Sequence, residues 1–160
     1  MNIRKFEPKD AEFCFEVRKK AFIKKFNNEL SSKEIAACIK GYNSDDYILM
    51  AEINEFFIVE KDYPVGFFTL KRIDLMIAEI PLIYFDLNHV GMGIGKACIQ
   101  YIQDWITANW IEVKTLFLDT IIPKNNSGFY EKTGFSHIMD AFCYFQKMRI
   151  KAARYSKKIK

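Results

Sequence analysis

The chain has 160 residues, half of them hydrophobic and 16% aromatic, and a formal net charge of +4. That composition builds one globular core and excludes a disordered or fibrous chain. The charge is local: Lys151, Arg154, Lys157, Lys158 and Lys160 stand in an acid-free last ten residues, and the rest is close to neutral, which excludes a broad basic surface for nucleic acid. Residues 1–150 therefore read as a single domain and 151–160 as a basic tail, solvated and frayed. No apolar run reaches the roughly 18–20 residues that cross a bilayer. Charges at Arg4, Lys5, Glu7 and Lys9 leave no room for a secretory signal. Cys14, Cys38, Cys98 and Cys143 lack metal or redox spacing and read as buried apolar residues in a reducing cytoplasm.

In chain order, Ile3–Phe6 is a predicted strand. Asp10 caps a predicted helix running to about Phe26, with Phe13, Val17 and Ala21 at helical spacing. Ser31 and Glu34 form a capping box that opens a second helix toward Lys40, closed by Gly41. Tyr47–Ile53, Phe56–Glu60 and Val65–Lys71 read as strands, separated by turns at Asn54-Glu55 and Asp62-Tyr63-Pro64. Ile77–Phe85 is an apolar, buried strand. A helix follows from about Gly93 to Asn109, then a strand at Thr115–Asp119, a short helix at Asn126–Thr133 closed by Gly134, and a last strand at Phe142–Ile150. Hairpins mixed with crossover helices predict an α/β fold of the α+β type, three layers around one mixed sheet.

Val90-Gly91-Met92-Gly93-Ile94-Gly95-Lys96 falls in the turn from strand to helix. Glycines let backbone come close to a ligand, and the helix start adds unpaired N–H groups and partial positive charge. The turn is a site for phosphate or diphosphate. The dinucleotide fingerprint G-x-G-x-x-G fails because the third glycine arrives one residue early and Glu112 does not end a second strand. The P-loop fails because three residues, not four, separate Gly91 from Gly95, and Ala97 replaces the magnesium-binding hydroxyl.

Gly93-Ile94-Gly95 matches the core of the Q/R-x-x-G-x-G/A loop of the GCN5-related N-acetyltransferase (GNAT) superfamily, with Val90 in place of the leading Gln or Arg. About thirty residues later, Asn126-Ser127-Gly128-Phe129-Tyr130-Glu131-Lys132-Thr133-Gly134-Phe135 resembles that family's second signature, and Ile3-Arg4 with Pro8-x-Asp10-Ala11 resembles its opening. The resemblance spans residues 1–148.

The resemblance implies a GNAT-like three-layer fold, with a mixed sheet flanked by helices. It also implies that the strands at Ile77–Phe85 and Thr115–Asp119 are parallel and splay apart around acetyl-coenzyme A, the co-substrate. Its pantetheine arm would bond to backbone near Phe85 and Leu87, and its diphosphate would lie on Val90, Gly91, Met92, Gly93 and Gly95. Lys96 would reach a phosphate or stand as a solvated charge. Asn126 would hold a pantetheine amide or cap its helix, and Asn125 could take either task. Tyr130 would protonate the departing thiolate, or serve as a core tyrosine. Glu79, eleven residues before Val90, would deprotonate the amine, with an exposed edge carboxylate as its other reading. His89 and His137 are too few for a metal site.

The implied activity is acetyl transfer from acetyl-coenzyme A to a primary amine of a small molecule or peptide. The alternative is a coenzyme A-binding sensor or interaction module without turnover. Phe22, Phe26, Tyr42, Phe67 and Tyr84 are candidates for an acceptor wall that holds an amine by cation–π contact, or for core. No membrane or nucleic-acid partner is expected, and homodimerisation stays open.

Overall fold

The computed structural model describes residues 1–121 and 123–159, with residues 123–125 described by backbone only. Eight strands among them form one open mixed sheet in the order β1-β2-β3-β4-β6-β8-β7, with β5 also paired to β3. The strands are β1 (Asn2–Lys5), β2 (Glu55–Glu60), β3 (Pro64–Arg72), β4 (Ile77–Glu79), β5 (Ile83–Phe85), β6 (Thr115–Ile121), β7 (Ser136–Phe145) and β8 (Met148–Lys158). The helices are α1 (Ala11–Lys20), continued by a π turn at Ala21–Lys25, then α2 (Ser32–Lys40), α3 (Ser44–Ile53), α4 (Ile94–Asn109) and α5 (Pro123–Lys132).

Period-two alternation sends successive side chains of β2 and β3 to opposite faces. Phe57, Val59, Phe68 and Leu70 meet the apolar stripe of α4 (Cys98, Ile99, Ile102, Ile106). Phe56, Ile58 and Phe67 meet Cys14 and Val17 of α1 and Tyr47 of α3. Phe57 and Phe68 stack with ring centroids 5.0 Å apart, and burial of each side chain contributes about 1.5–3 kcal/mol. A third cluster joins the π turn and α2 to β6 and β8 through Phe22, Phe26, Cys38, Ile121 and Ile150. Helices thus cover both faces of the sheet, as the three-layer expectation required.

Four local expectations change. The apolar run Tyr47–Ile53 is helix, not strand. Asn43 accepts from the N–H groups of Asp45 and Asp46, and Asp46 accepts from the Asn43 N–H in return. A short apolar run without clear period cannot tell strand from helix, and here the cap decides. The predicted strand Ile77–Phe85 is two, because Pro81 has no N–H for a ladder. Leu82 instead donates to the Thr69 hydroxyl.

Phe142–Ile150 contains a hairpin turn, with Gln146 at a φ of 55° between β7 and β8. Residues 151–158, expected to form a frayed tail, belong to β8 between β6 and β7. Ala152, Ala153 and Tyr155 are buried there, and so is Ile159 just beyond. Basic residues interleaved with apolar ones were a strand's two faces rather than a charge run.

Candidate active site

A cleft of about 680 Å³ opens where the sheet parts. β4 runs parallel to β6 over three pairs, Ile77 with Thr115, Ala78 with Leu116 and Glu79 with Phe117. The Ile80 N–H still donates to the Phe117 carbonyl. Beyond that bond the two sides separate. β5 stays with β3, pairing Gly66 with Phe85 and Phe68 with Ile83, while residues 118–121 of β6 pair with β8. Leu82–Phe85 form one wall of the cleft and Leu118–Ile121 the other. The expected parallel strands that splay are therefore present.

The glycine loop closes one end. After β5, Asp86 accepts from the Asn88 N–H and fixes a single 3₁₀ turn at Leu87–His89. Gly91 and Gly93 then adopt φ of 87° and 79°, a left-handed backbone that favours glycine. A Cβ at either would meet nothing within 4 Å. The space in front of this backbone is therefore open, as a diphosphate's approach demands. Gly93 caps α4 without any side-chain hydrogen bond, so the N–H groups of the first turn remain available to an anion.

Gly95 is small for another reason: a Cβ there would lie 2.9 Å from the Phe129 ring. Phe85, Leu87, Val90, Gly91, Gly93, Gly95 and Lys96 all line the cleft. Met92 does not; its side chain is 60% exposed. Val90 is 59% exposed and offers the loop no donor.

Tyr130 and Asn126 come from α5. Tyr130 is 7% exposed and borders the cleft. Burial drives its hydroxyl well above the ordinary phenol range, and the neighbouring Tyr84 adds to this while a hydrogen bond with Thr120 opposes it. The phenol therefore stays protonated at neutral pH. Asn126 lies inside α5, which starts at Pro123, so it does not cap the helix. Its Nδ2 donates to Thr120 Oγ1 at 3.1 Å, and its Oδ1 accepts from Lys25 Nζ at 2.6 Å. The side chain of Asn125 lies outside the described residues.

Glu79 ends β4 at the point where the strands part, half-buried and facing the cleft. Burial raises its pKa; Lys71 pulls it back down, Asp119 raises it further and Arg154 lowers it. Asp119, also on the cleft wall, is held by Arg154, whose Nε and Nη2 each donate to one carboxylate oxygen at 2.8 Å. Cys143 on β7 lines the same wall, with burial pushing its thiol up to about 11, so it is a weak nucleophile.

The family model described as the acetyltransferase (GNAT) family matches residues 11–135. The chain belongs to the GNAT acetyltransferase family. Solved GNAT structures share the fold over nearly the whole chain. A GCN5-related N-acetyltransferase from Rhodopseudomonas palustris superposes with a TM-score of 0.83 at 17% identity, covering 98% of this chain and 94% of its own. The PaiA N-acetyltransferase from Thermoplasma acidophilum, solved in complex with coenzyme A, gives 0.79 at 21% identity, with 98% of both chains covered. A chimera of the spermidine N-acetyltransferase SpeG from Vibrio cholerae gives 0.69 at 17% identity, covering 99% and 96%. No curated protein matches the sequence.

In this GNAT chain the end of the cleft away from the glycine loop is built from side chains that carried little signal. Of the five aromatic candidates, Phe26, Tyr42 and Tyr84 line it, while Phe22 and Phe67 are fully buried core. Tyr144 and Phe145 of β7 join the wall, having been hidden in a strand whose start was misplaced. Arg18 was missed altogether. Its one signal was position: it follows Cys14 by four residues on the apolar stripe of α1, where a charge is out of place. His89 Nε2 lies 3.3 Å from the Tyr63 hydroxyl. Among the described residues no His, Cys, Asp and Glu cluster could hold a metal, and no helix is long and apolar enough to cross a membrane.

Proposed function

We propose that the protein transfers the acetyl group of acetyl-coenzyme A to the primary amine of a small molecule or peptide. One observation carries this reading: the split between β5 and β6 leads from a glycine-built anion site past the buried Tyr130 hydroxyl to Glu79. Open backbone at Gly91 and Gly93 and the bare start of α4 fit a diphosphate. The unpaired strand edges fit an extended arm with amides, near Phe85 and Leu87. When bound, acetyl-coenzyme A supplies an activated thioester.

The chain's own residues meet three demands. The amine must lose a proton, because a free alkylamine with a pKa near ~10 is mostly ammonium at pH 7. Glu79, lifted above the usual carboxylate range by burial, accepts that proton directly or through water. Charge developing on the carbonyl oxygen needs a fixed donor, and strand-edge N–H groups at the split stand ready. The sulfur must leave as a thiol, and the protonated Tyr130 hydroxyl donates to it. Lys25, which bridges to Asn126, and Lys96 offer positive charge to the phosphates.

The test is thiol release from acetyl-coenzyme A across a panel of amines. Turnover with at least one amine, carried by Tyr130 and Glu79, is the expected result. Val90, where the family loop has Gln or Arg, motivates the second reading, a coenzyme A sensor. Tight binding with no thiol release on any amine would favour the sensor.

A further inference from the structure

Arg18 is 1% exposed, yet it lines the cleft. Its Nη1 donates to the Cys38 carbonyl in α2 at 2.8 Å, which fixes the guanidinium plane. Its Nε and Nη2 have no hydrogen-bond partner among the described residues. Four rings stack around it, with Tyr42 at 4.6 Å, Phe22 at 4.8 Å, Phe145 at 5.6 Å and Tyr84 at 5.9 Å from the guanidinium carbon, and the neutral phenol oxygens of Tyr47 and Tyr84 also face it, so its neighbours are dipoles and rings and not an anion. A buried cation with two unused donors is costly unless an anion completes it.

The chain itself shows what completes such a fork. Arg154 uses the same pair, Nε and Nη2, to clamp both oxygens of Asp119. Arg4 holds Asp10 through Nη1 and Nη2 and Glu60 through Nε. Arg18 has no such carboxylate among the described residues. The charge of the cleft points the same way. With Lys25 and Lys96 given to the phosphates, its described lining leaves Arg18 and Lys132 against Glu79 and Asp119, and Asp119 is already paired. A polyamine would find one free carboxylate here, and an anion would find a waiting fork.

We infer that Arg18 receives a carboxylate of the acceptor, so that the amine acetylated here belongs to an amino acid or a similar amino-carboxylate. This deepens the acetyltransferase reading and rests on it. The planar fork matches a carboxylate with two parallel hydrogen bonds. The cover over it consists of single rings. Tyr42, the nearest, sits on the short loop between α2 and α3, and the proposal requires this ring to shift when the acceptor enters, a side-chain change common at binding sites.

The experiment compares amino acids with their methyl esters and decarboxylated amines, in the wild type, R18K and R18M. Lysine keeps a cation and a donor for the Cys38 carbonyl but has no fork. The expected wild-type kcat/KM favours the acid over its ester by about 10- to 100-fold, the range of a charge-assisted hydrogen-bonded pair. In R18K and R18M that ratio should collapse to near one, chiefly through a rise in the KM of the acid. An acid-to-ester ratio unchanged in R18K, or acid and ester rates falling together, would overturn the inference and leave Arg18 as a brace between α1 and α2.

Calorimetry on the coenzyme A-loaded protein separates the two readings. If no amine is acetylated but amino acids bind in an Arg18-dependent way, transfer fails and the carboxylate site stands. If amines are acetylated and carboxylates gain nothing, the site fails and transfer stands.

Discussion

The two ends of the cleft are made of different material. At the end proposed for acetyl-coenzyme A the surface offered is backbone: left-handed Gly91 and Gly93 and the start of α4, which has no side-chain cap. At the end proposed for the acceptor it is side chains from scattered elements, with Arg18 from α1, Tyr42 from a loop, Tyr84 from β5 and Phe145 from β7. Backbone geometry is written locally, because a positive φ asks for glycine at that very position. A side-chain cage is written nowhere in particular, since any helix or strand of suitable angle can supply each ring. The donor end should therefore fail by point changes that leave the fold alone, and the acceptor end by changes that also disturb core.

The sharpest contrast is Gly93→Val. Its Cβ meets no atom of the chain, so the cost to the fold is the left-handed backbone alone, about 1–2 kcal/mol. Acetyl-coenzyme A affinity should nevertheless fall below detection by calorimetry while circular dichroism shows a folded chain. Unchanged affinity would remove the loop from the site. Gly95→Val is the control. It drives a side chain into the Phe129 ring, so it should lower the melting temperature as well as the affinity.

Next in size is Tyr130→Phe. Loss of the proton donor should lower kcat by about a hundredfold with little change in the dissociation constant for acetyl-coenzyme A. A variant that turns over normally would make Tyr130 a packing residue between Phe135 and Tyr155.

Glu79→Gln should have a smaller effect, on the order of tenfold at neutral pH, shrinking as pH rises and free amine becomes abundant. The wild-type rate should fall as pH drops through the raised Glu79 pKa, and the variant should lack that limb. Stability runs the other way. Because the folded pKa lies above the unfolded one, the folded chain holds a proton that the unfolded chain has lost across that window. Stability therefore declines as pH rises through the window, and the glutamine variant should melt no lower than wild type at neutral pH. Identical pH profiles would assign the base to another group.

The smallest effect is expected from Val90→Arg. Val90 is exposed at the loop, and a new surface cation near a phosphate should tighten acetyl-coenzyme A only a few-fold, more at low salt.

These contrasts track what was legible in the sequence. The glycine turn between strand and helix and the strands β2 and β3 could be read because each depends on neighbours in the chain. Helix α3 was misread because Tyr47–Ile53 is apolar but for Glu52 and so shows no clear period, although Leu49 and Ile53 end exposed. β8 was misread because Arg154 looked like one more tail charge, while its partner Asp119 lies 35 residues away. Arg18 escaped because its meaning depends on what is missing around it, and an unfilled fork has no residue pattern.

The split sheet has a mechanical consequence. Between its parallel halves the ladder runs over three pairs, at Ile77, Ala78 and Glu79, and past the Ile80–Phe117 bond β5 and β6 are not paired among the described residues. The molecule is then a clasp with a short hinge, and whatever lies along the open seam acts as its missing rung. A ligand bound only by the folded chain raises the melting point by mass action. Here it should also slow amide hydrogen exchange on both lips, β5 and the far end of β6, more than in the antiparallel body of the sheet.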